Sequence, residues 1–337
     1  MKKLASAFLL TLGLTSCETT VTLPEPAHTP RIALLYTLSD QPLDTSSTVM
    51  VGRQPFVSYS QRVFDTKQLT GRADATVEIL DAAGTIVERF RPGYPLKRYA
   101  YLNNTPGYYT PTLGLVGKTG EAYTLRASLP GFETVESTLT MPSKPLIDNA
   151  KFVLRSGSIQ PSPGVNNEVK GRLTVTLTDN AATADHYLAF ARLLNEQGKL
   201  LQSYSEVSTD YDDQSTEFEV GRFELSSEKD TYGSSLNPYA DTNVNGKQFS
   251  LNANIRYYLS GCYNTPTGTS RCEQVGYIEV RVSNITADAY KFYQSKNSYN
   301  NSQDNPFAEP APLTSNIKPG YGLFGAAADA TYRIKLF

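Results

Sequence analysis

The sequence predicts a mainly β protein, built as two consecutive β-sandwiches with one short helix near the C-terminus. Short segments that alternate apolar and polar residues recur along the chain, with turn-forming residues between them, and this spacing is typical of a sandwich. The chain also contains 22 tyrosines and no tryptophan, and tyrosine is favoured on half-buried sheet surfaces. The segment 286–298 combines a capping residue, Thr286, with the apolar spacing of a helix.

The first sandwich is predicted over residues 31–145. Residues 31–38 are apolar on both faces, which predicts a strand in the middle of a sheet. Residues 75–80 and 85–90 alternate on either side of a turn sequence, which indicates a hairpin. Further short strands are predicted at 48–51, 108–110, 122–127 and 133–140.

The second sandwich is predicted over residues 146–337, because Pro142 and Pro145 interrupt the strand pattern just before it. The prolines, glycines and alanines between 302 and 326 predict an ordered loop rather than a helix. Strands of this sandwich are predicted at 150–154, 171–178, 186–194, 217–220, 248–259, 276–283 and 331–337.

The N-terminus has the three parts of a secretory signal peptide. Two lysines are followed by a short apolar run over residues 4–14 and by small residues directly before Cys17. The run is too short to span a bilayer, which needs about 20 residues. A cysteine at this place is typical of bacterial lipoproteins, whereas an ordinary secreted protein is the alternative. We therefore predict that residues 1–16 are removed, that Cys17 is lipidated, and that residues 17–30 form an extended tether to the membrane.

The two remaining cysteines, Cys262 and Cys272, predict a disulfide, because an even pair in an exported chain is typically oxidised. The bridge would close a turn-rich loop between two long strands. A metal site would need two further ligands, and no histidine is close in sequence.

The net charge and the lack of known catalytic motifs argue against nucleic-acid binding and against several classes of enzyme. The formal net charge is −2, and the sequence has no basic stripe with interleaved aromatics of the kind that binds nucleic acid. It also has no phosphate loop, no His-Glu-x-x-His motif and no nucleophile elbow. A catalytic triad would need His186, which is more simply explained as a residue at the edge of a strand. We therefore predict no cofactor, no nucleic-acid partner and no catalytic residues.

Two segments are candidates for ligand contact. The first is a carboxylate-rich loop containing Asp210, Asp212 and Asp213, which are calcium-type ligands, although the spacing of an EF-hand is broken and a solvated acidic loop is favoured. The second is an insertion rich in tyrosine and basic residues. If exposed, this insertion would contact a ligand or partner protein, and if buried it would form a sheet edge. Its members are Arg91, Tyr94, Tyr99, Tyr101, Tyr108 and Tyr109.

A motif near the C-terminus follows the predicted helix and carries a family resemblance. The residues of the motif are Asn305, Pro306, Phe307, Glu309, Pro310, Ser315, Asn316, Gly320, Gly322, Phe324 and Gly325. Physically, its turn-forming residues predict a long loop held against a sheet, while a docking face for a partner is the alternative. The motif resembles the C-terminus of an uncharacterised Bacteroidota lipoprotein family, domain of unknown function family 4249, and the resemblance extends over the mature chain. Residues 123–140 also resemble a carboxypeptidase-regulatory-like sandwich, so immunoglobulin-like or carboxypeptidase-regulatory-like domains are expected.

The resemblance implies a lipid-anchored protein of the outer membrane that is associated with a TonB-dependent receptor. The acidic Glu18 directly after Cys17 favours the cell surface, and the periplasmic side is the alternative. On this basis we expect a non-catalytic binding or accessory module for nutrient uptake. The alternative is a structural or assembly lipoprotein of the outer membrane that binds only other proteins.

Overall fold

The computed structural model describes residues 27–43, 53–62, 65, 69–93, 106–155, 168–201, 207–210, 225–226, 236–258, 260–264, 268, 270–303 and 312–336. The described residues between 30 and 60 and those from 69 onward belong to one compact unit. This unit contains every strand and helix among the described residues.

The described residues form sixteen strands and one helix. In chain order the elements are β1 (Ile32–Ser39), β2 (Phe56–Tyr59), β3 (Thr76–Asp81), β4 (Ile86–Pro92), β5 (Tyr109–Pro111), β6 (Ala122–Ser128), β7 (Val135–Thr140), β8 (Leu146–Leu154), β9 (Glu168–Thr178), β10 (His186–Asn195), β11 (Ser208–Thr209), β12 (Tyr239–Ala240), β13 (Gln248–Tyr258), β14 (Ser260–Asn264), β15 (Ser270–Ile285), α1 (Ala287–Gln303) and β16 (Tyr321–Lys335). The mainly β fold with a short helix near the C-terminus is thereby confirmed.

The strands form three sheets. The seven-stranded sheet has the order β12–β10–β15–β16–β1–β2, and β14 pairs with the first part of β15. The five-stranded sheet has the order β5–β4–β3–β6–β7, and the four-stranded sheet has the order β11–β13–β9–β8. Neighbouring strands are antiparallel except for β1 and β16, which are parallel.

Both smaller sheets pack on the same face of the seven-stranded sheet. The five-stranded sheet covers β1, β2 and the first half of β16, and the four-stranded sheet covers β10, β15 and the second half of β16. β16 therefore belongs to both cores: Phe324 and Ala326 pack into the first, while Tyr332 and Ile334 pack against the second. As a result, the segments predicted as two consecutive sandwiches, 31–145 and 146–337, share one sheet.

Helix α1 covers the opposite face of the seven-stranded sheet. Ala289 and Tyr293 of α1 pack against Phe190 of β10 and Leu323 of β16. The helix starts directly after Thr286, as predicted. Among the described residues, no helix combines the length and hydropathy needed to cross a membrane.

The segment 320–326 corrects the sequence interpretation, because the predicted loop is the start of strand β16. Its small residues are required by close contacts. A Cβ on Gly322 would lie 1.9 Å from the backbone oxygen of Leu34 in β1, and a Cβ on Gly325 would lie 3.1 Å from the Cβ of Ala289 in α1. Glycine here allows β1 and α1 to approach β16, which outweighs its low preference for strands.

A charged ladder crosses three strands of the seven-stranded sheet. Glu279 of β15 is the register partner of both Arg192 of β10 and Arg333 of β16. Its carboxylate lies 2.6 Å from Arg192 Nη2 and 2.8 Å from Arg333 Nε. Burial alone would raise the pKa of Glu279, but the two guanidinium groups lower it below its ordinary value.

Most other local predictions are confirmed by the strand pairing. β1 lies between β16 and β2, in the interior of its sheet as expected, and β3 and β4 form the predicted hairpin. The strands predicted at 48–51 and 217–220 lie outside the described residues.

Candidate functional site

A groove of about 620 Å³ lies on the four-stranded sheet. This volume is within the range of roughly 300–1,000 Å³ that is usual for ligand pockets. We call it the polar groove, because most of the side chains that line it are charged or form hydrogen bonds. These side chains are Lys151, Arg155, Arg172, Thr174, Asn252 and Asn254.

The alternation of the strands explains why these side chains share one face. In β9, Leu173 and Val175 point into the core, so Arg172 and Thr174 between them point outward. The register then places Asn252 of β13 directly opposite Thr174. The polar groove therefore forms on the outer face of the sheet, away from the core.

Basic residues outnumber acidic ones among the described residues that line the groove. Lys151 and Arg155 of the β8 segment and Arg172 of β9 supply three cations. The single carboxylate among the described lining residues is Asp210, which is 2% exposed and lies 3.4 Å from Arg155 Nη1 and 3.4 Å from Lys170 Nζ. The described lining residues thus include three basic side chains and one carboxylate, although the whole chain is slightly acidic.

Neutral hydrogen-bonding groups lie between the cations. Thr174 Oγ1 donates to Asn252 Oδ1 at 2.8 Å, which keeps the amide nitrogen of Asn252 as a donor. Next to this pair, the hydroxyls of Thr176 and Ser250 are 3.1 Å apart. The lining therefore offers both charge and hydrogen bonds to a polar ligand.

Among the described residues, the groove has neither a set of metal ligands nor an aromatic ring. No group of three or more His, Cys, Asp or Glu side chains suited to a metal ion occurs among the described residues. The lining residues that the structure describes also include no aromatic ring. The described lining of the groove thus consists mainly of basic side chains, hydroxyl groups and amide groups.

The tyrosine-rich insertion contributes in part to the core. Tyr109 is 0% exposed, and its hydroxyl accepts from the amide of Ala75 at 2.9 Å and donates to the carbonyl of Arg72 at 3.0 Å. Burial raises the pKa of Tyr109. Tyr109 is therefore buried in the sheet, which is the second of the two alternatives given for the insertion, and is not exposed for contact with a ligand.

Of the remaining residues of the insertion, one packs against a neighbouring ring, one is exposed, and three lie outside the described residues. The ring of Tyr108 lies edge-on to that of Phe56, with centroids 5.1 Å apart. Arg91 is exposed on β4. Tyr94, Tyr99 and Tyr101 lie outside the described residues, so their predicted contact with a ligand stays a prediction.

Asp210 is buried and paired with two cations, rather than part of a solvated loop as the sequence favoured. The chain positions it next to β13, where its amide donates to the carbonyl of Asn254 at 2.8 Å. Asp212 and Asp213, the other candidate calcium ligands, lie outside the described residues.

The described part of the C-terminal motif fixes the chain before β16. The side-chain amide of Asn316 donates to the carbonyl of Phe324 at 2.8 Å, and its oxygen accepts from the Phe324 amide at 2.9 Å. Ile317 and Phe324 are buried in the core beneath the five-stranded sheet. Ser315, Gly320, Gly322 and Gly325 belong to the same turn and strand, whereas Asn305, Pro306, Phe307, Glu309 and Pro310 lie outside the described residues.

The two cysteines are register partners. Cys262 of β14 lies directly opposite Cys272 of β15 in an antiparallel ladder. Opposed residues in such a ladder have Cα atoms about 4.5–5.5 Å apart, which is within the range that a disulfide requires. The backbone is therefore compatible with the bridge, which stays a prediction.

His186 begins β10 and is half-buried against α1. Its ring lies 4.6 Å from that of Tyr290, and its Nδ1 has no hydrogen-bond partner. Burial lowers the pKa of His186, while Asp241 and Asp185 act in the opposite direction. Among the described residues, no Ser or Thr hydroxyl is hydrogen-bonded to the imidazole.

Sequence reasoning missed the polar groove. Its cations alternate with apolar residues in β8 and β9, so each strand taken alone resembles an ordinary half-exposed strand. The sequence did contain one indication of the groove. At the outward-facing positions of β8, β9 and β13, basic residues outnumber acidic ones, and the basic residues are Lys151, Lys170, Arg172 and Arg256.

Comparison with models of protein families identifies the family to which the chain belongs. A model of the family described as Domain of unknown function (DUF4249) matches residues 48–333, which is most of the chain. No curated protein matches the sequence.

Proposed function

Since the chain belongs to the family described as Domain of unknown function (DUF4249), a description that names no activity, we propose a function from the polar groove and the N-terminal sequence. The protein is a non-catalytic binding or accessory module that is anchored in the outer membrane through Cys17. At the cell surface it serves a TonB-dependent receptor in nutrient uptake.

The polar groove carries this proposal. It is a concave surface with cations and hydrogen-bonding groups on a rigid sheet, which is what capture of a polar nutrient requires. The carboxylate of Asp210 holds Arg155 and Lys170 from one side, so part of the binding surface is positioned before a ligand arrives.

The N-terminal sequence supports the location. A lipidated cysteine would attach the chain to a membrane, with each buried methylene contributing about 0.8 kcal/mol. The proline-containing tether of residues 17–30 would span at most about 50 Å when fully extended. The folded unit would therefore stay close to the membrane that holds its receptor.

The decisive experiment is affinity purification of the full-length chain, tagged at Phe337, from detergent-solubilised membranes. Recovery of a TonB-dependent receptor in near-equal amount would support the proposal. Outer-membrane assembly factors in its place would favour the alternative of a structural lipoprotein, and a protein that is recovered alone would contradict both.

Membrane attachment has its own test. The Cys17→Ala variant should move from the membrane fraction to the soluble fraction, because it removes the site of acylation. If the variant still sediments with the outer membrane, lipid anchoring at this residue is wrong.

A further inference from the structure

We propose that the end of the fold at which β1 begins lies against the lipid headgroups of the membrane and holds the folded unit in one orientation. The inference rests on the proposed lipid anchor at Cys17, and it adds a second, non-covalent contact between the chain and the bilayer. We call this surface the β1 rim. Its side chains are those of Arg31, Tyr59, Leu69, Phe132, Lys318 and Tyr321.

The strand register brings these residues to one end of the fold. In the parallel pair of β1 and β16, Ala33 is opposite Tyr321, and the antiparallel strand β2 ends at Tyr59, opposite the first residue of β1. The loop between β6 and β7 lies at the same end, since a Cβ on Gly320 would lie 2.9 Å from Val135, the first residue of β7. The β1 rim is therefore one surface, formed where β1, β7 and β16 begin and β2 ends.

The anchored part of the chain enters the fold at this end. The tether of residues 17–30 joins β1 directly before Arg31. The other end of β1 lies about 23 Å away, since successive residues of this eight-residue strand are about 3.3 Å apart. An acylated Cys17 would thus keep the β1 rim closer to the bilayer, on average, than the opposite end of the fold. The place where the tether ends therefore argues for lipid as the occupant of this surface.

Large side chains with apolar surface are exposed at the β1 rim. Tyr321 is 47% exposed and Leu69 is 45% exposed. Leu69 lies beside the end of β2, because the hydroxyl of Ser58 donates to the carbonyl of the next residue, Thr70, at 2.8 Å. Tyrosine has an apolar ring with a polar tip, which suits the boundary between hydrocarbon and water. Contact with the bilayer would remove from water the apolar surface that the fold leaves exposed here.

Two further rings at the β1 rim enclose a cation. The ring centroids of Tyr59 and Phe132 are 5.8 Å apart, and the guanidinium carbon of Arg72 lies 6.0 Å from each centroid. Asp74 pairs with this guanidinium at 2.6 Å, so the group carries little net charge. Both rings are half-buried. They therefore contribute a rigid, partly apolar surface rather than an electrostatic attraction.

Two cations of the β1 rim supply that attraction. Arg31 and Lys318 are both exposed, and neither forms an ion pair with another described residue. One exposed carboxylate, that of Glu133, lies in the loop beside Phe132. Cations within about 10 Å of an anionic bilayer are attracted to its phosphate groups at ordinary salt concentration. The described residues of the rim therefore combine apolar contact with attraction for headgroups.

A partner protein is the competing occupant. The centre of a protein interface is depleted of charged side chains, whereas at the β1 rim Arg31 lies between Leu69 and Tyr321, at the start of the strand that separates β2 from β16. Aromatic and basic residues are mixed in this way where proteins meet the headgroups of a membrane. The composition of the rim therefore favours lipid.

The test uses the lipidated chain in vesicles of phosphatidylethanolamine and phosphatidylglycerol, and flotation first shows whether the chain is anchored. A fluorescent thiol label is attached at Glu133→Cys, in the β6–β7 loop, and a quencher is carried on the headgroup of one lipid. The matched control is a label at Lys118→Cys. Lys118 is 75% exposed and lies near the other end of β1, because the amide of Gly117 donates to the carbonyl of Ser39 at 2.8 Å. Wild type treated in the same way gives the background from any free thiol.

We expect the quencher to act strongly on the label at residue 133 and weakly on the label at residue 118. The double variant Leu69→Ser, Tyr321→Ser should reduce the seated population about tenfold relative to the free one, because two half-exposed side chains lose their apolar contact. Leu113→Ser is the control, since Leu113 is 62% exposed and lies outside the β1 rim, and it should change nothing. Lys318→Glu should weaken the quenching more on vesicles with phosphatidylglycerol than on vesicles without it. Far-ultraviolet circular dichroism shows that each variant is folded.

Three outcomes would overturn the inference. Equal quenching of the two labels means that the folded unit turns freely on its tether. If neither label is quenched although the chain floats with the vesicles, the β1 rim is held away from lipid and is open to a protein partner. If the double variant is quenched as strongly as wild type, Leu69 and Tyr321 make no contact with the bilayer. A chain that does not float refutes the lipid anchor of the proposed function itself, and the seating of the rim with it, so the two failures are distinguishable.

Discussion

Gly322 of β16 is the register partner of Leu34 in β1, and we expect Gly322→Ala to destabilise the protein strongly. The φ angle of Gly322 is +115°, a conformation that residues with side chains rarely adopt. A Cβ at this position would lie 1.9 Å from the carbonyl oxygen and 2.8 Å from the carbonyl carbon of Leu34. Both are backbone atoms, so no rotation of a side chain can relieve the contact.

The magnitude follows from two contributions. An unfavourable backbone conformation costs about 1–3 kcal/mol. Relief of the contact requires β1 and β16 to separate by about 1 Å, since Cβ atoms essentially never approach closer than 3.0 Å, and this weakens the neighbouring interstrand hydrogen bonds by about 0.5–1.5 kcal/mol each. If two such hydrogen bonds are weakened, the sum is about 2–6 kcal/mol, which is a large part of the 5–15 kcal/mol that is typical of a folded protein.

The assay is urea unfolding followed by far-ultraviolet circular dichroism. Gly120→Ala is the matched control, because Gly120 also has a positive φ, +79°, but a Cβ there would meet no atom within 4 Å. It should lose about 1 kcal/mol, from backbone strain alone. Equal losses in the two variants would refute the argument that close approach of the strands, rather than φ, makes glycine necessary.

Three further predictions concern the rest of the molecule. Glu279→Gln should lower the unfolding free energy by about 2 kcal/mol at neutral pH, because it removes the carboxylate that pairs with two arginines. Folding lowers the pKa of Glu279, so this contribution is present above its unfolded pKa of about 4.3 and is lost as the pH falls through the folded pKa. A difference in unfolding free energy between wild type and variant that stays constant into acid would contradict this prediction. Tyr109→Phe should cost about 1 kcal/mol by urea unfolding, because it removes a buried hydroxyl with two backbone partners, whereas Tyr321→Phe, at an exposed tyrosine, should have no effect. Intact mass with and without reductant should show a Cys262–Cys272 bridge, which contributes about 2–3 kcal/mol for a loop of this length, and two alkylatable thiols in the unreduced protein would exclude it.

The sequence predicted those elements that depend on local patterns. The β3–β4 hairpin follows from alternation on both sides of a short turn, and α1 begins beside Thr286, whose hydroxyl is a common helix cap. The start of β16 was missed because Gly322 and Gly325 favour turns when the chain is considered alone. In the folded protein they are selected by contacts with β1 and α1, which are not visible in the local pattern.

The polar groove could not be predicted for a related reason. Lys151, Arg172 and Asn252 come together only because β8, β9 and β13 pair in one sheet, and about 100 residues separate the first from the last. Local alternation predicts which side chains face outward, but it does not tell which strands are neighbours. By contrast, Cys262 and Cys272 are close in sequence, so their opposition in a hairpin followed directly from their spacing.

The position of β16 between β15 and β1 also governs how the chain must fold. The Asp329 amide donates to a carboxylate oxygen of Asp40, 289 positions earlier in the sequence, and the whole parallel β1–β16 ladder joins segments that are equally distant. Contacts of such high sequence separation slow folding, because chain entropy is lost before they form. Until β16 is in place, one edge of β1 and one edge of β15 lack their partners, and unpaired edges promote aggregation. We therefore expect slow refolding that depends on protein concentration, with closure of the seven-stranded sheet as the rate-limiting step.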